Sequence, residues 1–323
     1  MYTRLAKKIS MESVTKTQQI LSPLERYLFD TLGFVVIKGV FSKDELEAIN
    51  RGIDKHAEEN DFHERTGAIR NSVLGTSGRR DCGNFLSWSD QDGGSVLRSL
   101  LAHPKLHPIL NELCGEGHRL DHKPVMFIQD QGAEGFDLHG GAVTSTGAYN
   151  FPISYHCHAG QIVCNLINVA VQLTDSPKGA GGFVVVPGSH KSNFPSPKTS
   201  ELLQYIADNY GYQPDCEAGD AVLFTEAVLH GAAVRTSPKQ RRVVLMRFSP
   251  ATCAYARGYA NGGFDDFINH LNPAQKAVAG QLPFHLDQDR ETPSRDGDQV
   301  CVPHPRRPDK KSFDRVVFGN DYY

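Results

Sequence analysis

Between about residue 120 and residue 250 the chain is a succession of short β-branched and aromatic runs: "HKPVMFIQD", "QIVCNLINVAVQLTD", "GGFVVVPGS", "DAVLFTEAVLH" and "RRVVLMRFSP". Gly, Pro, Asp and Ser separate them, and short runs bounded by such turn formers read as strands. Their close, irregular spacing argues for a sandwich or jelly roll rather than for βαβ units. "QIVCNLINVAVQL" combines alternation with near-continuous apolarity, as a central strand covered on both faces would.

The preceding segment changes period twice. A helical stripe of Leu24, Leu28 and Leu32 stops at Gly33, the β-rich "FVVIKGV" follows, and a second helix opens at Ser42. Glu45 lies three residues after Ser42, the spacing at which each side chain satisfies a free backbone N–H of the first turn. A further helix is expected in "SVLRSLLAHPKLHPILNELCG", interrupted at Pro104 and Pro108 and stopped by Gly115. The expected fold class is therefore mostly β with flanking helices, an α+β chain.

The 323 residues are read as one domain: N-terminal helices and first strands over 1–118, the β core over 119–255, and a polar, proline-dotted, irregular extension over 256–323. A formal net charge of −3 gives no polyanion-binding character, so nucleic acid is not an expected partner. No apolar run is long enough to cross a membrane, and the basic N-terminal start lacks an apolar segment behind it, so a soluble cytoplasmic protein is expected. The seven cysteines form an odd set without a CxxC pair. Most of them are read as small buried hydrophobes, and neither disulfides nor a zinc ribbon fits the set.

Three residues stand out in chain order: His139 before the main β region, His230 at the end of "AVLFTEAVLH", and Arg241 at the start of "RRVVLMRFSP". Each alone has a bland reading, as a hydrogen-bonded histidine or a solvated strand edge. Together they suit a mononuclear non-haem iron, which needs two imidazoles and a carboxylate on one face with positions left open. An arginine one strand away adds a planar fork for the carboxylate of a co-substrate.

The segments "ERYLFDTLGFVVIKGVFSKDELEAIN", "GGFVVVPGSHKSNFP" and "AGDAVLFTEAVLHGAAVRTSPKQRRVVLMRFSP" resemble the phytanoyl-CoA dioxygenase family of Fe(II)/2-oxoglutarate oxygenases, from roughly residue 22 to 250. The resemblance implies a double-stranded β-helix, a cupin-like jelly roll, with Fe(II) at its mouth. It also implies O2-dependent decarboxylation of 2-oxoglutarate to succinate, coupled to oxidation of a small organic substrate. His139 falls on the first histidine of the family's His-x-Asp, His230 on the distal histidine, and Arg241 on the arginine that pairs with 2-oxoglutarate. Arg242 is the alternative anchor, on the other face of the strand. His190, in the "PGSH" signature, is read as structural.

Two departures are visible: Gly141 takes the aspartate position, and Ala232 stands where many members have a hydroxyl. Glu226, four residues before His230, could supply the missing carboxylate from the same face of a strand, although such a span covers about 13 Å unless the strand bends. Asp137 is a second candidate, with a solvent-side turn as its bland reading. Alternatively, His-x-Gly resembles the Fe(II)/2-oxoglutarate halogenases, in which chloride takes the open position. A third reading keeps the fold as a binding protein without iron chemistry. His156 and His158 around Cys157 could be read as a second metal site but lack a third ligand and are taken as a polar pocket lining. Gln129 and Gln131 are candidate pocket residues read by preference as ordinary outward strand positions.

Overall fold

The computed structural model describes residues 20–64, 78–255, 265–279, 293–301 and 315–317. Its helices are α1 (Pro23–Leu32), α2 (Lys43–Glu58), α3 (Gly94–Ser99), α4 (His107–Cys114), α5 (Ser200–Tyr210), α6 (Asp265–Ile268) and α7 (Pro273–Ala279). Its strands are β1 (Phe34–Ile37), β2 (His63–Glu64), β3 (Arg79–Cys82), β4 (Arg119–Leu120), β5 (Val125–Gln129), β6 (Phe136–His139), β7 (Tyr155–His158) and β8 (Gln161–Cys164). They continue as β9 (Ile167–Gln172), β10 (Gly182–Val185), β11 (Ala221–Thr225), β12 (His230–Ala233), β13 (Arg241–Ser249), β14 (Ser294–Asp296) and β15 (Gln299–Cys301).

The major sheet runs β1-β11-β9-β13-β5-β3-β2, with β4 also on β13, and the minor sheet runs β10-β12-β6. All these pairings are antiparallel, as the double-stranded β-helix requires. Alternation along β13 sorts its side chains. Val244, Met246 and Phe248 join Ile49, Ile53, Leu97, Leu110 and Val278 in a helix-covered core on one side, whereas Val243 packs with Phe34, Phe127, Ala170, Val222 and Phe224 between the sheets. Burying each such side chain contributes about 1.5–3 kcal/mol. Strand β9 is buried at every position, Asn168 and Gln172 included, as the near-continuous apolarity of its segment predicts.

Local signals act as expected at the first helices. Ser22 and Glu25, and Ser42 and Glu45, form reciprocal capping boxes, and Gly33 ends α1 at φ +83°. The buried member of α1 is Phe29, while Leu24 of the leucine stripe is 65 % exposed. Pro108 sits in the first turn of α4 rather than interrupting it, because the missing N–H is one that a helix start leaves unpaired anyway. Part of the C-terminal extension is regular: Phe267, Leu271 and Val278 of the α6–α7 segment enter the helix-covered core. Among the described residues no helix is long and apolar enough to cross a membrane.

Candidate metal centre and neighbouring arginine

"AVLFTEAVLH" is not a single strand. Strand β11 ends at Thr225, whose carbonyl accepts the Val228 N–H at 3.0 Å in a tight turn. Glu226 begins this turn and His230 leaves it as the first residue of β12. The turn removes the reach problem of an extended four-residue span, and Glu226 Oε1 lies 3.9 Å from His230 Nε2. Strand register brings in the third group: His139 on β6 is paired directly with His230 on β12, with ring centroids 4.3 Å apart. One ligand-type atom from each of His139, Glu226 and His230 lies within 4.8 Å of the others.

The imidazoles are oriented by the backbone. His139 Nδ1 is 3.2 Å from the Asp137 carbonyl, and His230 Nδ1 is 2.8 Å from the Val228 carbonyl. A ring that donates Nδ1–H to a carbonyl keeps its Nε2 lone pair for a cation, the usual outer support of a metal-binding histidine. Burial, reinforced at His139 by the neighbouring His230, pushes both imidazoles below their ordinary pKa and keeps them neutral. Burial opposes the Glu226 charge, but His230, Arg247 and the Asn168 amide outweigh it and hold the carboxyl well below the usual range. Its Oε2 accepts from Asn168 Nδ2 and lies 3.9 Å from Arg247 Nε, which leaves Oε1 on the histidine side. Two neutral imidazoles and an ionised carboxylate form a donor set able to hold one divalent iron.

The two glycines after His139 make a turn. Gly140 has φ +96°, and a Cβ there would stand 2.7 Å from the Glu226 and Val228 carbonyl oxygens. Gly141 has φ +102° in more open space, a backbone shape that an aspartate adopts only with strain. The Asp137 carboxylate is turned to helix α5, where it accepts the Ser200 hydroxyl at 2.6 Å.

Arg241 faces the space between the sheets and is 3 % exposed. Its Nη1 donates to Gln129 Oε1 at 2.7 Å, its guanidinium lies 5.2 Å from the Phe127 ring centroid, and among the described residues no carboxylate pairs with it. Arg241 Nε and Gln129 Nε2 are buried donors without acceptors, so a carboxylate placed there would satisfy both. Gly182 gives the guanidinium its room, since a Cβ would come within 2.8 Å of Arg241 Nε. Val185, three residues along β10, pairs with His230, so the arginine and the imidazoles lie about 10 Å apart along that strand. Arg242 points the other way, to Gln240, Asn50 and Asp54.

Gln129 is therefore an inward residue, contrary to the outward reading, because it is paired with Arg241 across β5 and β13 and shares its face. Gln131 is exposed and bonds the Thr236 carbonyl. Asn168 and Arg247 were not singled out by sequence. A lone Asn inside the apolar β9 was the available signal, since buried amides need partners. His190 serves groups remote from the cluster: its Nε2–H donates to the Asp30 carbonyl at 3.0 Å and its ring packs on Tyr155. His156 and His158 lie on the exposed β7–β8 hairpin, with His156 held by Tyr149 and Ser154.

The family model for phytanoyl-CoA dioxygenase (PhyH) matches residues 29–243. Ectoine dioxygenase from Halomonas elongata is 23 % identical over 286 residues, covering 74 % of this chain and 76 % of the relative. Among solved structures, HygX from Streptomyces hygroscopicus with nickel, 2-oxoglutarate and hygromycin B bound aligns with TM-score 0.59 and 23 % identity, covering 73 % of this chain and 90 % of that one. EctD from S. alaskensis with 2-oxoglutarate and 5-hydroxyectoine aligns with TM-score 0.52 and 16 % identity, covering 72 % and 77 %. At these identities the structural likeness establishes the shared fold, a double-stranded β-helix. The match over residues 29–243, two thirds of the sequence, makes the assignment: the chain belongs to the phytanoyl-CoA dioxygenase family and is a non-haem iron, 2-oxoglutarate-dependent oxygenase.

Proposed function

We propose that this oxygenase hydroxylates a small organic molecule, holding Fe(II) with His139, Glu226 and His230 and the distal carboxylate of 2-oxoglutarate with Arg241. The carrying observation is the convergence of the three ligand-type atoms within 4.8 Å, with both Nδ1 atoms already committed to backbone carbonyls. Iron with 2-oxoglutarate and O2 supplies the oxidising chemistry. The protein fixes the imidazole tautomers, keeps Glu226 ionised through Asn168 and Arg247, and offers Arg241 and Gln129 as donors for a carboxylate.

The bound ligands of the solved relatives, 5-hydroxyectoine in EctD and hygromycin B in HygX, support a small-molecule substrate as a class. A halide in the position opened by Gly141 is disfavoured, because it would stand beside the ionised Glu226, and like charges crowd one site. The test is anaerobic titration with Fe(II) and 2-oxoglutarate, following the weak visible charge-transfer band with and without chloride. A band indifferent to chloride and lost in Glu226→Gln supports the reading. A band that shifts with chloride, or survives that substitution, would return the glycine vacancy to the front.

A further inference from the structure

A second group of metal-ligating side chains lies away from the β-helix mouth, where α2 ends. His56 is on the last turn of α2, Glu59 caps the helix, and Asp61 follows Asn60, which reverses the chain at φ +63°. His56 Nδ1 is 2.7 Å from Asp61 Oδ2 and 3.5 Å from Glu59 Oε2. On its other edge His56 Nε2 faces Asp92 Oδ2 at 3.6 Å, without a hydrogen bond. Three carboxylates thus surround one imidazole. Among the described residues, Asp92 is the one of the three with a lysine ion pair, to Lys55 at 2.9 Å.

A neutral imidazole carries one proton for its two nitrogens. If the proton sits on Nδ1 for Asp61, the Nε2 lone pair faces Asp92; if it sits on Nε2, the Nδ1 lone pair faces two carboxylates. We propose that His56 Nδ1, Glu59 and Asp61 bind a divalent cation of the Zn²⁺ class, with the Nε2 proton turned to Asp92. That arrangement gives every nitrogen and carboxylate an opposite partner, and a carboxylate behind the second ring nitrogen is the usual support of a metal-bound histidine. The spacing fits: tetrahedral zinc with nitrogen and oxygen donors places them roughly 3.4 Å apart, between the two contacts His56 already makes. Glu59 and Asp61 are half exposed, so water can complete the coordination.

The ion would tie the end of α2 to the loop carrying Trp88 and Asp92. Trp88 is the only tryptophan in the sequence, and His56 stacks on it with centroids 4.1 Å apart and planes 5° from parallel. Its emission therefore reports on this site and not on the distant His139–His230 pair. The full chain is titrated with Zn²⁺ by calorimetry, and with Ni²⁺ while Trp88 emission is followed. Expected are two equivalents of Zn²⁺, Trp88 quenching by Ni²⁺, and both the second equivalent and the quenching weakened at least about tenfold by Asp61→Asn or Glu59→Gln. His230→Ala should leave the quenching intact. One equivalent only, or quenching untouched by Asp61→Asn, overturns the proposal and leaves the cluster as hydrogen bonds between His56 and its carboxylates.

Discussion

Replacing Arg241 by methionine should make the protein more stable and less able to use 2-oxoglutarate, two effects of opposite sign from one buried cation. Burial, aided by the Arg79 and Arg235 guanidiniums, presses the Arg241 pKa from 12.5 to about 9. An arginine stays charged at neutral pH, so the gap is a cost of folding, on the order of 5 kcal/mol. Methionine removes that cost but forfeits the bond to Gln129 Oε1, worth about 2–3 kcal/mol with its acceptor left buried. The net expectation is a gain of about 2 kcal/mol, or, for a chain of this length, a melting temperature higher by about 3 °C. Two charge-assisted hydrogen bonds to a carboxylate are lost at about 1.5–3 kcal/mol each, so 2-oxoglutarate binding should weaken at least a hundredfold, roughly. Scanning calorimetry of the metal-loaded protein, with and without 2-oxoglutarate, reads both. The co-substrate should raise the melting temperature of the unsubstituted protein alone. A variant that melts lower without 2-oxoglutarate would mean that Arg241 is already paired, and the argument for a waiting carboxylate site would fail.

Gly140→Ala should destabilise by about 2 kcal/mol or more, and Gly141→Ala by less, because only the first adds a clash with the Glu226 and Val228 carbonyls to the strain of positive φ; equal losses in urea unfolding would contradict the turn geometry. Gly182→Ala, whose Cβ would meet the Arg241 guanidinium, should raise the KM for 2-oxoglutarate while Fe(II) affinity measured by calorimetry stays within about threefold, a shift smaller than one ligand contact. Burial lowers His103 and His190 from 6.5 to about 4. The unfolded chain therefore takes up protons first as the pH falls, and stability complete above pH 6.5 should decline toward pH 4, by on the order of 3 kcal/mol per histidine. A urea midpoint unchanged between pH 7 and pH 5 would refute that sign.

Much of this site is written in local sequence, and the rest in pairing. The capping boxes at Ser22 and Ser42 and the stop at Gly33 follow from side-chain chemistry within a few residues, and they are legible directly. His139, His230 and Arg241 were picked out as residue types in order, and the resemblance supplied their roles. Their proximity depends on β6 pairing with β12 and on the turn after Thr225, long-range facts that no window of sequence contains. The parity of β13 separates Arg241 from Arg242, but which face is inward is decided by the whole sheet. Gln129 was misread for that reason, since a glutamine on a strand is usually outward and this one shares the face of a buried arginine. Arg247 lies beside Glu226 only because β13 and β9 bring it level with Asn168.

The turn between β11 and β12 places Glu226 and His230 on one five-residue stretch, whereas His139 arrives from another strand. The first two can meet as soon as that turn forms; the third meets them only if β6 lies against β12 in the observed alignment. A slip of one residue would swing the His139 ring to the opposite face of the minor sheet and leave a two-armed chelate. On the proposed three-ligand reading, the site discriminates between correct and shifted closures of the barrel, and a cation present during folding would act as a proofreader of strand alignment.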